Sequence, residues 1–112
     1  MADGSYYVYM LRCTDGSLYT GSTPDIARRL RQHYYHRAGC AKYTKSHPVA
    51  ALEALWRTQD RSSALRLEAR IKRLTRAEKT ALLEKPETLT ERFPDLAAEH
   101  RPDVTLEQYL EE

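Results

Sequence analysis

Basic and aromatic side chains alternate through residues 36–48, HRAGCAKYTKSHP. This segment contains a glycine, and its hydrophobic residues follow no helical or strand period, so it is predicted to be a loop. Its length is typical of loops that carry a function. Lys42, Tyr43 and Lys45 are candidates for binding a nucleic-acid strand, because cations neutralise phosphates and a tyrosine ring stacks on any base. A solvated surface loop is the alternative that these residues leave open.

Four residues in or beside this loop are of types that can bind a metal ion: His33, His36, Cys40 and His47. Their spacing matches no closed zinc pattern, so zinc is not expected. His33 is a better candidate for other chemistry, because a helix before the loop would place it on the same face as Arg29. The role expected for His33 is a phosphate contact or an auxiliary proton donor.

Charge is divided along the chain. Residues 1–83 carry 15 Lys and Arg against 7 Asp and Glu, whereas residues 84–112 carry 3 against 9. The basic part favours a polyanionic partner, since Lys and Arg that neutralise phosphates release condensed counterions. A solvated basic surface is the other interpretation of the same charges.

Length and composition limit the class of protein. A chain of 112 residues, 41% hydrophobic and 30% charged, predicts one compact soluble domain. No apolar run approaches the roughly 20 residues that span a bilayer, so a membrane partner is not expected. The start of the chain lacks the layout of a secretory signal, which makes the cytoplasm the expected location. Cys13 and Cys40 are therefore expected to be reduced thiols.

Residues 6–12 and 18–21 have the aromatic and β-branched composition of strands, and the Asp-Gly turn signal between them predicts a β-hairpin. Two registers are open. A two-residue loop would place Tyr9 and Tyr19 on opposite faces, whereas a three-residue loop with Gly16 in the left-handed conformation places them on one face. We expect the second register, because only there can the two tyrosines act together.

Three helices are predicted. Thr23, Pro24 and Asp25 form a helix start with a capping hydroxyl, and a basic helix is expected over residues 24–35 with Ile26 and Leu30 facing inward. Residues 62–74 are predicted as the second helix, because they carry an apolar stripe of Ala64, Leu67, Ile71 and Leu74. The segment between these helices, residues 49–58, is ambiguous between helix and strand.

Glu68 lies on the rim of this stripe, about 80° from its centre, so its carboxylate needs a partner. An ion pair with Arg28, Arg29 or Lys72 is one interpretation, and a functional carboxylate is the other. A capping box of Thr75 and Glu78 predicts a further helix over residues 76–83.

The tyrosine segments resemble a known motif. Tyr7-Val8-Tyr9 and Tyr19-Thr20-Gly21, about ten residues apart, are similar to the two halves of the GIY-YIG motif. The match continues in the family's order through Arg29, His33 and Glu68, and covers roughly residues 6–83. In length and layout the chain resembles the small stand-alone bacterial branch of the GIY-YIG nuclease superfamily, the UPF0213 type.

The resemblance implies an α/β (α+β) fold in which a three-stranded antiparallel sheet is flanked by helices, with residues 49–58 as the third strand. Residues 1–83 would form the nuclease-like domain. Residues 84–112 would form an acidic C-terminal tail with short helices or partial disorder.

The resemblance also implies a metal-dependent endonuclease that hydrolyses phosphodiester bonds in nucleic acid, with DNA favoured over RNA, in repair or processing. Tyr9, Tyr19, Arg29 and His33 map to catalytic positions, and Glu68 maps to the ligand of Mg²⁺ or Mn²⁺. Each assignment is chemically reasonable, because one carboxylate suffices for a water-rich Mg²⁺ and an arginine fork suits a phosphate. Arg28 and Lys72 join the loop residues as expected nucleic-acid contacts.

Two alternatives to an active nuclease remain open. Many family members carry an asparagine after the glutamate, and this sequence contains none, so Lys72 or Lys79 would have to replace it. A binding module that keeps the fold without cleaving is therefore the main alternative. The other is an adaptor whose acidic tail docks on a protein partner or covers its own basic groove.

Overall fold

The computed structural model describes residues 4–37, 39, 41–102 and 104–110. The elements follow in chain order: β1 (Tyr6–Cys13), β2 (Leu18–Thr23), α1 (Ile26–Tyr34), α2 (Lys42–Ser46), β3 (Val49–Thr58), α3 (Arg61–Lys72), α4 (Arg76–Glu84), a 3-10 turn (Pro86–Thr88), α5 (Leu89–Arg92), β4 (Glu99–His100) and α6 (Leu106–Leu110). The fold is α+β, with an antiparallel sheet flanked by helices. Among the described residues, no helix combines the length and apolar character required to cross a bilayer.

The sheet has the order β2-β1-β3-β4 with antiparallel pairing throughout, so β2 forms one edge. The third strand that the resemblance implied is confirmed over Val49–Thr58. Its helix-favouring residues form a strand because β3 pairs along its length with β1 and buries residues on both faces. The expectation of three strands was one strand short, since Glu99 and His100 pair with β3 as a fourth. Two residues carry no recognisable strand pattern, which is why β4 could not be anticipated.

The predicted hairpin register is confirmed. Leu11 pairs with Tyr19 and Tyr9 pairs with Gly21, which is the register of a three-residue loop. Gly16 has φ of 85°, the left-handed conformation that a loop of this kind requires and that glycine adopts without a steric cost. Tyr9 and Tyr19 therefore share one face of the sheet.

Helix α1 buries Ile26 and Leu30 as expected, but its cap differs from the prediction. The carboxylate of Asp25 accepts the hydrogen bond from the Arg28 amide, whereas the Thr23 hydroxyl contacts only the backbone of Asp25. The helix consequently starts at Ile26 rather than at Pro24. An aspartate and a threonine two residues apart both offer a capping oxygen, and the sequence did not distinguish them.

The segment of residues 36–48 was expected to be a loop throughout, but Lys42–Ser46 form the short helix α2. No side chain caps this helix, and so few residues cannot form a stable helix alone. Tertiary contacts of the buried Thr44 hold it in place. Ala38 and Cys40 lie outside the described residues, so the reduced Cys40 thiol stays a prediction; Cys13 is a buried free thiol.

Helices α3 and α4 form close to their predicted limits. Ala64, Leu67 and Ile71 of the apolar stripe are fully buried. The predicted capping box is also confirmed, since the Thr75 hydroxyl accepts from the Glu78 amide and the Glu78 carboxylate accepts from the Thr75 amide.

Two hydrophobic clusters lie on opposite faces of the sheet. We call them the α3-face cluster, which contains Val8, Met10, Trp56, Leu67 and Ile71, and the α1-face cluster, which contains Tyr9, Leu11, Ile26, Leu30 and Leu55. Strand β1 contributes alternate residues to the two clusters, as a pleated sheet requires.

The described part of residues 84–112 packs on both clusters. Leu89 and Leu96 are buried in the α3-face cluster, and Leu106 is buried in the α1-face cluster. Arg31 donates to the Tyr109 carbonyl, and Arg31 lies about 200° around α1 from Arg29. These tail contacts therefore lie on the side of α1 away from Arg29. Asp103, Glu111 and Glu112 lie outside the described residues, and the tail as a docking segment stays a prediction.

Candidate active site at the edge of the sheet

Tyr9, Tyr19 and His33 form a compact group between the edge strand β2 and helix α1. The ring centroids of Tyr9 and Tyr19 are 6.4 Å apart, and the Tyr19 ring lies 5.3 Å from that of His33. Tyr9 and His33 are fully buried, whereas Tyr19 is half-buried at the surface. Of the two tyrosines, Tyr19 is thus the one within reach of a ligand in solution.

A chain of hydrogen bonds runs inward from Tyr9. The Tyr9 hydroxyl lies 2.7 Å from His33 Nε2, and His33 Nδ1 lies 2.7 Å from the hydroxyl of Thr44 on α2. The Thr44 hydroxyl in turn donates to the Ala41 carbonyl at 3.1 Å. Both ring nitrogens of His33 are thus occupied by protein groups. In this geometry His33 lies behind Tyr9, and its expected role as a phosphate contact or auxiliary proton donor stays a prediction.

Gly21 makes room for Tyr9. A Cβ atom at this position would lie 2.5 Å from the Tyr9 hydroxyl oxygen and 2.6 Å from its Cζ atom. Both distances are far below van der Waals contact. The glycine of the second motif is therefore required by close packing of the Tyr9 ring across β2.

Arg29 joins this group from α1, in line with its spacing of four residues from His33. Its Nη1 donates to Gln32 Oε1 at 3.0 Å and to the Gly39 carbonyl at 2.6 Å, and its charge acts on the Tyr9 phenol. The guanidinium is thus held by two protein groups. An arginine fixed in this way presents a pre-ordered fork to an incoming anion.

Burial controls the protonation of the inner pair. Burial raises the pKa of the Tyr9 phenol well above its ordinary value, as does the nearby Tyr19, while the nearby Arg29 opposes the rise. Burial also lowers the pKa of His33 to about 4, and the Arg29 charge adds to this effect. At neutral pH the pair is therefore a neutral phenol and a neutral imidazole.

Glu68 reaches the same edge from the opposite face of the sheet. Its Oε1 accepts from the Ser22 hydroxyl at 2.5 Å, and its Oε2 forms an ion pair with Lys72 Nζ at 2.6 Å. Lys72 Nζ also lies 6.0 Å from the centre of the Tyr19 ring. Because β2 is an edge strand, groups from both faces meet around it. Of the three ion-pair partners considered for Glu68, the structure shows Lys72.

Helix α2 brings the predicted basic and aromatic residues beside Tyr19. The Tyr43 ring stacks with Tyr19 at 5.8 Å and with His47 at 3.9 Å, while Lys42 and Lys45 are exposed. Next to them, Arg28 and Arg29 line a cleft of about 330 Å³ together with Ser22 and Gln32. Exposed basic residues therefore lie on the same helix as Tyr43, and two arginines line the neighbouring cleft.

The donors for a metal ion are few. In the part of the chain that the structure describes, no three His, Cys, Asp or Glu side chains are arranged to hold a metal ion. Glu68 is part-exposed and has a hydroxyl beside it, which suits a cation that keeps most of its waters, as Mg²⁺ does. A fully protein-coordinated ion does not suit this donor set.

The predicted residues thus come together, and the structure adds three that the sequence did not single out for function. Ser22 holds Glu68, Thr44 holds His33, and Gln32 holds Arg29. Gln32 shares a helix face with Arg29 and could have been found by spacing. Ser22 and Thr44 have no such signal, because they meet their partners across 46 and 11 residues of chain. Lys79, which was considered with Lys72 in place of an asparagine, lies on α4.

Comparisons with known proteins agree on one family. A family model described as the GIY-YIG catalytic domain matches residues 5–81. A UPF0213 protein of Fusobacterium nucleatum is 42% identical over 84 residues, which cover 75% of this chain and 82% of that protein. A UPF0213 protein of Syntrophus aciditrophicus is 46% identical over 77 residues, which cover 69% of this chain and 87% of that protein. The solution NMR structure of a UPF0213 protein from Bacillus halodurans is similar at 37% identity and a TM-score of 0.47, over 79% of this chain and 95% of that one. The chain therefore belongs to the GIY-YIG family, a nuclease-type superfamily, and within it to the UPF0213 proteins.

Proposed function

We propose that this protein is a divalent-metal-dependent endonuclease that hydrolyses phosphodiester bonds in nucleic acid, with DNA favoured over RNA, during repair or processing. One observation carries the proposal. Tyr9, Tyr19, Arg29 and Glu68 come from four different elements and converge at one sheet edge. A carboxylate, an arginine and a phenol are the groups that this hydrolysis uses.

Glu68 is the residue that would hold Mg²⁺ or Mn²⁺, with the Ser22 hydroxyl beside it. A bound divalent cation would polarise a water molecule and a phosphate oxygen. The ammonium group of Lys72 pairs with Glu68 Oε2, so a positive charge is favourable at this position. The donor set supports Mg²⁺ with most of its waters retained.

Arg29 is suited to bind the phosphate as negative charge develops on its oxygens. Gln32 and the Gly39 carbonyl restrain one end of the guanidinium, so little conformational entropy is lost when an anion binds. Tyr19 is suited to orient the attacking water, because it is the half-buried phenol beside Lys72. Tyr9 supports Arg29 and Tyr19 from within the core.

The surrounding surface supports a polyanionic substrate. Arg28, Lys42, Lys45 and Lys72 place positive charge around Tyr19, and the Tyr43 ring extends the aromatic surface from Tyr19 to His47. Cations of this kind bind phosphates without reading sequence, and the rings suit stacking on exposed bases. Salt-sensitive binding is therefore expected.

A binding module that does not cleave is the second candidate. The observation in its favour is the state of Glu68, because both of its carboxylate oxygens already have partners in Ser22 and Lys72. A metal ion would have to displace Lys72 from Oε2. If it cannot, the site binds phosphate groups and performs no hydrolysis.

Cleavage of labelled nucleic acids separates these candidates. Single-stranded, duplex, flapped and mismatched DNA and RNA are incubated with Mg²⁺ or Mn²⁺, and binding is recorded in the same samples. Tyr19→Phe is compared with Tyr6→Phe, which alters a tyrosine that packs on the α3-face cluster, away from the site. The nuclease predicts metal-dependent cutting that Tyr19→Phe abolishes and Tyr6→Phe retains. Salt-sensitive binding without cutting on any substrate would establish the binding module instead.

A further inference from the structure

The hydrogen-bonded chain from Tyr9 to Ala41 has one end of fixed polarity, because the Ala41 carbonyl can only accept. Before it lie three groups that can each act in either direction: the Tyr9 hydroxyl, the His33 imidazole and the Thr44 hydroxyl. Each of the three has one proton to donate when neutral.

A single direction satisfies every group. The Thr44 hydroxyl donates its one proton to the Ala41 carbonyl, so toward His33 it can only accept. The proton of the neutral imidazole consequently sits on Nδ1, and the unprotonated Nε2 accepts the proton of the Tyr9 hydroxyl. The opposite direction would point the Thr44 proton at Nδ1 and leave the Ala41 carbonyl without that donor.

We propose that Thr44 is a positioning residue that fixes His33 as the Nδ1–H tautomer and thereby sets the direction in which the Tyr9 hydroxyl donates. The Thr44 hydroxyl bonds to His33 and to the Ala41 carbonyl, so it acts on Tyr9 through the imidazole. It is fully buried, so its hydroxyl has no water to replace these partners. Thr44, on the five-residue helix α2, thus determines the direction in which the Tyr9 hydroxyl on β1 donates its proton.

The tautomer decides what His33 can contribute. With Nε2 free of a proton, His33 is a proton acceptor toward Tyr9, and its N–H points away from the site. This excludes the neutral imidazole as the proton donor that the sequence suggested. The consequence for catalysis rests on the proposed nuclease function, whereas the tautomer itself does not.

The tautomer is measurable in the free, full-length protein without any substrate. Long-range proton–nitrogen NMR spectra of protein labelled with ¹⁵N-histidine distinguish a protonated Nδ1 from a protonated Nε2. Wild type and Thr44→Ser, which keeps the hydroxyl, are expected to show His33 protonated at Nδ1 at neutral pH. Thr44→Val, which keeps the shape, should shift the balance toward Nε2–H by about tenfold, the effect of losing one buried hydrogen bond.

A wild-type signal showing His33 protonated at Nε2 would overturn the proposal, and so would a Thr44→Val variant that keeps the Nδ1–H form unchanged. The wild-type spectrum alone decides the matter if Thr44→Val does not fold. Where cleavage is measurable, Thr44→Val should lower kcat with KM unchanged, and Thr44→Ser should restore kcat. A protein that shows the expected tautomer but cuts no nucleic acid would refute the proposed function and leave the role of Thr44 standing.

Discussion

Substitution of Gly21 by alanine tests the packing on which the site depends. The new Cβ would lie 2.5 Å from the Tyr9 hydroxyl oxygen and 3.1 Å from Tyr19 Cε2, so the Tyr9 ring has to move. Overpacking of this kind costs about 1–3 kcal/mol. Loss of the bond to His33 leaves a buried nitrogen unsatisfied, at a further cost of about 1–3 kcal/mol. We therefore expect Gly21→Ala to lower the free energy of unfolding by roughly 2–6 kcal/mol.

Urea unfolding followed by the fluorescence of Trp56 measures this loss, because Trp56 is the only tryptophan and is buried on the opposite face of the sheet. Gly16→Ala is the matched control. Gly16 has φ of 85° and a Cβ added there would have no atom within 4 Å, so only the backbone conformation opposes alanine, at about 1–2 kcal/mol. If Gly21→Ala were no more destabilising than Gly16→Ala, the close packing of Tyr9 on Gly21 would be refuted.

Three further predictions concern the inner pair, the carboxylate and the tail. The pKa of His33 is lowered to about 4 from 6.5, so the unfolded chain binds more protons in that interval and the contribution of His33 to stability is lost as pH falls. Between pH 7 and pH 4.5 the free energy of unfolding in urea should fall by about 2 kcal/mol more for wild type than for His33→Gln. Parallel curves of this free energy against pH would contradict the prediction. Lys72→Met removes the ion pair from Glu68 and should tighten Mn²⁺ binding severalfold by calorimetry, while unchanged affinity would show that Glu68 does not bind the ion. Leu89→Ala should lower the free energy of unfolding, measured in urea, by about 2–5 kcal/mol, because Leu89 is buried in the α3-face cluster. The exposed Leu65→Ala is its control, and equal losses would show that tail docking contributes little to stability.

Local patterns were sufficient for much of the fold. The Asp-Gly turn predicted the hairpin but left two registers open, and the confirmed one was chosen because it lets Tyr9 and Tyr19 act together. The Thr75–Glu78 capping box and the apolar stripe of α3 were likewise predictable, because both depend on spacings of three or four residues.

Features that depend on distant partners could not be predicted in this way. The strand β3 consists of residues that favour a helix, and only its pairing with β1 makes it a strand. Helix α2 is too short to form alone and is held by the contact between Thr44 and His33. Strand β4 has two residues and exists because β3 offers it an edge.

In the candidate site, too, some residues were placed by local patterns and others by contacts between distant parts of the chain. Arg29 and His33 were placed together by helical spacing, whereas the register that puts Tyr9 and Tyr19 on one face was one of two that the sequence left open. The contact of Glu68 with Ser22 crosses from one face of the sheet to the edge strand, and no local period encodes it. The groups that hold the site in place were therefore harder to predict than the groups proposed to act in it.

The most direct test of the proposed nuclease is single-turnover cleavage by Glu68→Gln on the best substrate, measured against Mg²⁺ concentration. Glu53→Gln is the matched control, because Glu53 also pairs with a cation, Arg12, but lies outside the site. A metal-binding Glu68 predicts a fall of at least about 100-fold for Glu68→Gln and a wild-type rate for Glu53→Gln. Cleavage by Glu68→Gln at the wild-type rate, or an equal fall in both variants, would contradict a catalytic site at this edge of the sheet.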